Sequence, residues 1–191
     1  MYLQGKTVLF LGSSVTYGAF ADGVSFADLM AERCGIRCIK EAVSGTTLAD
    51  INDNSYVSRL KKVDPACKID LFVCQLSTND ASPKHNVTLD DVEAAIRCIL
   101  QYVKDTFGCP VVFYTGTYFD HKRYEEMITL LYRLQTEYGF YILDLYNDAQ
   151  MRNVSEDDYR IYMHDPVHPT LKGYADWWTP KFITFCEEIA E

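Results

Sequence analysis

Five apolar runs of strand length recur along the chain: "TVLFLG" (7–12), "RCIKEAV" (37–43), "DLFVCQL" (70–76), "PVVFYTG" (110–116) and "YILDLY" (141–146). Stretches with helical character separate them. The runs are apolar with little alternation, which suits strands covered on both faces, and parallel strands need a crossover between each pair. The expectation is an α/β chain, a three-layer α/β/α sandwich around a five-stranded parallel, doubly wound sheet. The clearest helices are 88–107, where Thr88 caps "LDDVEAAIRCILQYVKDTF" and Gly108 ends it, and 122–138, which stops at Gly139. A last helix is expected from about 170 to 190. A chain of 191 residues with 48% hydrophobic content suffices for one domain, 1–191, with a substantial core.

The formal net charge is -9, and basic clusters such as "RLKK" (59–62) are short and isolated, so nucleic acid is not an expected partner. The start "MYLQGKTVLFLG" has neither a basic region followed by a long apolar one nor any run of membrane-spanning length. Seven cysteines, an odd count, lie partly inside apolar runs. Together these features predict a soluble protein of a reducing, cytoplasmic compartment with no membrane span. Cys34 and Cys38 have no second Cys/His pair at ligand spacing, so no metal site is expected.

In such sheets the ligand crevice lies beyond the carboxyl ends of the strands. The five exits read "GSSVTYG", "SGTTLAD", "STNDASPKHN", "GTYFDHK" and "NDAQ". Three are rich in Ser, Thr, Gly and Asn, which also make ordinary turns and caps, so only their combination is informative. Near the C-terminus "MHDPVHPTLKGY" sets Asp165 three residues before His168. A serine hydroxyl needs a base to take its proton, and that base needs a partner to fix its tautomer. Asp165 can orient His168, and His168 can activate Ser13 or Ser14 after the first strand. Acyl transfer also needs donors for the developing oxyanion. Gly45 and Asn79 stand at the second and third exits.

"FLGSSVTYG", "AVSGTTL", "LSTND" and "DPVHPT" resemble, in order and over residues 8–173, the four sequence blocks of the SGNH hydrolase, or GDSL-type esterase/lipase, superfamily. The resemblance implies a flavodoxin-like fold and chooses between the serines. Gly12-Ser13-Ser14 matches the family's Gly-Asp-Ser, so Ser14 takes the nucleophile's place and Ser13 that of the Asp. His168 and Asp165 complete the triad, and Ser14, Gly45 and Asn79 supply the oxyanion hole. No metal or organic cofactor is implied.

Three departures bear on geometry. Ser13 replaces a charged residue, Ser77 stands where glycine is common and should avoid positive φ or be strained, and Lys40-Glu41-Ala42 replaces an Asn-x-Gly. The expected activity is hydrolysis of short-chain acyl esters, acetyl above all, on a carbohydrate or other small alcohol, because no long lid insertion is present. Thioesterase, lysophospholipase and acyltransferase activities belong to the same family. A flavin- or phosphate-binding module is the rival from another class, although "GSSVTYG" has neither a P-loop's Lys-Ser/Thr ending nor Gly-x-Gly-x-x-Gly.

Tyr17, Tyr118, Phe119, Trp177 and Trp178 lie near the expected mouth, with packing the expected fate of most. Asp80 is placed to orient its loop. His164 is left out of the triad because neighbouring side chains point apart, and His85 and His121 are expected to be solvated.

Overall fold

A computed structural model describes residues 2–190. Its strands are β1 (Thr7–Gly12), β2 (Arg37–Ala42), β3 (Leu71–Gln75), β4 (Val111–Tyr114) and β5 (Tyr141–Leu143). They form one parallel sheet in the order β2-β1-β3-β4-β5, the doubly wound arrangement of flavodoxin-like proteins. The first run is a strand over its full length; the others are shorter than their runs by one to three residues, at one end or both. β2 is an edge strand and only half-buried, which accommodates its Arg37, Lys40 and Glu41.

The helices are α1 (Ser14–Tyr17), α2 (Phe26–Cys34), α3 (Tyr56–Leu60), α4 (Leu89–Thr106), α5 (Lys122–Tyr138), α6 (Ala149–Arg152), α7 (Glu156–Tyr162) and α8 (Thr179–Ala190). Thr88 and Asp91 form a reciprocal capping box at the start of α4. The last helical segment runs from Leu171, with a π-helical stretch over Gly173–Trp178 leading into α8.

Alternation along β1 distributes the core between two layers. Leu9 and Leu11, with Phe72 and Phe113, pack against Ile96, Ile99, Leu131 and Leu134 of α4 and α5. Val8 and Phe10, with Val73 and Val112, pack against Phe26 and Met30 of α2 and Phe182 and Cys186 of α8. Each such side chain contributes about 1.5–3 kcal/mol on burial, so the central strands are held from both faces and their exits are rigidly placed. Among the described residues no helix is long and apolar enough to cross a membrane.

Candidate active site

Because β1 lies between β2 and β3, the first three exits are neighbours on one rim of the sheet. Ser14 opens α1 at the first, Gly45 follows β2, and Asn79 follows β3. At Gly12 a Cβ would fall 1.7 Å from Thr16 Oγ1 and 2.8 Å from Gln75 Oε1, so only glycine permits this close a turn. Buried Gln75 accepts from Ser13 N at 3.0 Å and Thr16 Oγ1 at 2.9 Å, fixing the turn to β3. Ser13 is fully buried and faces inward.

Ser14 Oγ lies 2.8 Å from His168 Nε2, although 154 residues separate the two in the chain. His168 Nδ1 is in turn 2.8 Å from Asp165 Oδ2 and 2.9 Å from Oδ1. The loop bearing them is closed by His164 N donating to His168 O at 2.8 Å and by a bridge between Met163 and Pro169. Tyr174 Oη, donating to Val15 O at 2.8 Å, ties the following helix to α1. Burial alone would raise the Asp165 carboxyl. The amides of Val167 and His168, each donating to Oδ1 at 2.8 Å, together with the imidazole, instead hold it below its ordinary value. Its folded-state value being depressed, the stability this pairing contributes is present above the unfolded value near 3.8 and is lost as pH falls through the folded one.

Gly45 has a φ of 78°, in the left-handed region, and nothing lies within 4 Å of where a Cβ would sit, so its surroundings are open. The N–H groups of Ser14 and Gly45 are not taken up by the backbone hydrogen bonds of their loops. Asn79 Nδ2 donates to Thr46 O at 2.8 Å, which orients the amide and leaves its second N–H to be offered elsewhere. Ser77 is buried and is not among the positive-φ residues, so it meets its expectation without strain.

Two buried side chains hold these exits together. Asp80, 1% exposed, accepts Leu48 N and Ala49 N at 2.8 Å each, locking the third exit to the second. Burial raises its carboxyl, and Ser77 and the two amides partly counter this. Arg59, part of the basic cluster read as isolated, is 4% exposed. Its guanidinium donates to Gly12 O at 2.7 Å, Glu41 O at 2.8 Å and Thr46 Oγ1 at 3.1 Å, joining the first exit to the second. Asp80→Ala leaves two buried N–H groups without acceptors and is expected to cost about 2 kcal/mol, measurable as a lower urea midpoint. An unchanged midpoint would deny Asp80 this role.

Several flagged residues lie elsewhere. Trp178 is fully buried in the core, Trp177 stacks on Tyr162 at 5.3 Å, and Tyr118 lies under Arg152 at 4.1 Å. Phe119 packs on Tyr124 at 5.0 Å, and the centroid of the Tyr17 ring lies 5.7 Å from Lys40 Nζ. The ring packed against His168 is Phe20. His121 is a correction: it is half-buried, packs on Phe119 and has a buried Nδ1. His85 is also half-buried, in a 3₁₀ turn over Pro83–His85.

A family model described as GDSL-like lipase/acylhydrolase matches residues 10–175. The chain belongs to that family. It is therefore a serine hydrolase of the esterase class, which sets aside the flavin- and phosphate-binding reading. Solved structures show the same fold. A Lactobacillus plantarum protein superposes with a TM-score of 0.81 at 18% identity, covering 97% of this chain and 98% of that one. The native aryl esterase of M. smegmatis gives 0.69 at 16% identity, with coverages of 97% and 98%. A carbohydrate acetylesterase family member from Sinorhizobium meliloti gives 0.71 at 16% identity, with coverages of 97% and 99%. No curated protein matches the sequence.

Proposed function

We propose that this GDSL-family hydrolase removes short acyl groups, acetyl above all, from esters of a carbohydrate or other small alcohol. The observation that carries the chemistry is the unbroken contact chain from Ser14 Oγ to His168 Nε2 at 2.8 Å and from His168 Nδ1 to Asp165 Oδ2 at 2.8 Å. In this reading Ser14 attacks the ester carbonyl as its proton passes to His168, and Asp165 stabilises the imidazolium. The oxyanion is met by the N–H groups of Ser14 and Gly45 and by the Asn79 amide. His168 then protonates the departing alcohol and activates the water that releases the acyl group from Ser14.

The preference for short acyl groups is supported by the compactness of a 191-residue chain without a long lid insertion. It accords with the descriptions of two neighbours of the same fold as an aryl esterase and a carbohydrate acetylesterase family member. The test is a panel of esters graded by acyl length and by alcohol, with an acyl-CoA and a lysophospholipid added. Acetyl and propionyl esters are expected to exceed octanoyl esters in kcat/KM by about tenfold or more. A reversed order, or faster turnover of the acyl-CoA or lysophospholipid, would remove the substrate assignment.

A further inference from the structure

The segment joining α1 to α2 is unusually wound. Gly18, Phe20, Asp22 and Gly23 have φ of 93°, 64°, 53° and 78°, and two of these four carry a Cβ that rarely tolerates the left-handed region. Internal hydrogen bonds maintain it: Ala21 N and Gly23 N donate to Gly18 O at 3.0 and 3.1 Å, and Val24 N donates to Ala21 O at 2.8 Å. Lys40 of β2 clamps both ends, donating to Tyr17 O at 3.1 Å and Gly23 O at 2.7 Å, while Asp28 balances its charge at 2.6 Å. Ala21 is buried, yet Phe20 beside it is 58% exposed. One face of its ring is stacked on His164 with centroids 4.0 Å apart and planes at 12°. Its edge geometry to His168 has a centroid distance of 5.1 Å and an angle of 63°. Backbone strain retained to hold an apolar ring in water beside an imidazole calls for a use of that ring.

The position of the ring indicates the use, given the esterase reading above. When the acyl–oxygen bond breaks, the leaving oxygen takes the proton that His168 Nε2 received from Ser14, so the carbon bonded to that oxygen lies beside the imidazole. Phe20 is the ring packed there, and although stacked on His164 the residue remains 58% exposed. We propose that Phe20 is a specificity-determining residue for the alcohol half of the ester. It receives an alcohol built on a ring with an apolar face, a phenol or the C–H face of a sugar, against its solvent side.

The test holds the acyl group at acetyl and varies the alcohol: ethyl acetate, phenyl acetate and a monoacetylated methyl glucoside. The proteins are wild type, Phe20→Trp and Phe20→Gly, the last keeping the left-handed backbone without the ring. Phe20→Gly is expected to lower kcat/KM by about three- to tenfold, through KM, for whichever ring acetate is the better substrate. Ethyl acetate should stay within about twofold, and Phe20→Trp should retain the preference. An equal fall on all three acetates would mean that Phe20 acts only on the imidazole, and would overturn the proposal. A second arm titrates phenol and methyl glucoside into the Ser14→Ala protein, reading the imidazole C–H resonances of His164 and His168. A shift with either, lost in Ser14→Ala/Phe20→Gly, supports the ring subsite even if no acetate is turned over, which would condemn the esterase reading alone. Ethyl acetate turnover with no shift from either alcohol would overturn the subsite and spare that reading.

Discussion

Ser14→Ala is expected to lower kcat on acetyl esters by about a thousandfold or more, with KM and the folded state little changed. Ser14 is 9% exposed and its hydroxyl is bonded to His168, so on the proposed mechanism Ser14→Ala removes the nucleophile without opening the core. The contrast with its neighbour makes the result diagnostic. Ser13 Oγ makes a long contact, 3.4 Å to Gln75 Oε1, and faces the buried Tyr56 hydroxyl, while Ser13 N keeps the stronger bond to Gln75 Oε1. Ser13→Ala should therefore retain activity within about threefold. Stopped-flow release of p-nitrophenol from p-nitrophenyl acetate should show an acylation burst in wild type and Ser13→Ala and none in Ser14→Ala. The opposite pattern would transfer the nucleophile to Ser13.

Asp165→Asn should be nearly as damaging, by about a thousandfold in kcat, for a reason legible in its hydrogen bonds. Oδ1 accepts the amides of Val167 and His168 while the carboxylate also faces His168 Nδ1. An asparagine can keep its oxygen on the two amides only by turning its NH2 towards Nδ1. The imidazole must then accept at Nδ1 and carry its proton on Nε2, the nitrogen that receives the Ser14 proton in the proposed mechanism. The base is held in the wrong tautomer and its protonated form loses a counter-charge. Circular dichroism should be unchanged and KM conserved. A loss under about tenfold would mean that another group orients the imidazole.

The sheet was legible in the sequence because its central strands are buried on two faces and therefore read as continuous apolar runs; Thr7–Gly12, buried at every residue, agrees end to end. β5 is shorter than its run because Asp144 leaves the sheet to accept hydrogen bonds from Thr115 and Tyr132. Ser14, Gly45, Asn79, Asp165 and His168 were picked out through family blocks, and the structure brings the first three exits and the Asp165–His168 loop to one rim. What escaped was long-range pairing of ordinary residues. Arg59 reads as part of a solvated basic cluster, and acceptors distant in the chain, among them the carbonyls of Gly12 and Glu41, 47 and 18 residues away, make it an interior hub. Phe20 looks like one more loop aromatic until its left-handed backbone and the distant His164 are seen together. Neither local propensity nor periodicity contains that information.

The position of the imidazole so late in the chain has a biosynthetic consequence. A nascent polypeptide possesses all five strands once Leu143 has left the ribosome, but the layer containing Val8, Phe10 and Phe26 still awaits Phe182 and Cys186. Until that closing segment docks, one apolar side of the sheet is bare, and such intermediates are prone to aggregate. The stretch that covers it follows directly on the loop bearing His168, so a growing chain buries that side of the sheet in the same late step that brings the imidazole to the rim.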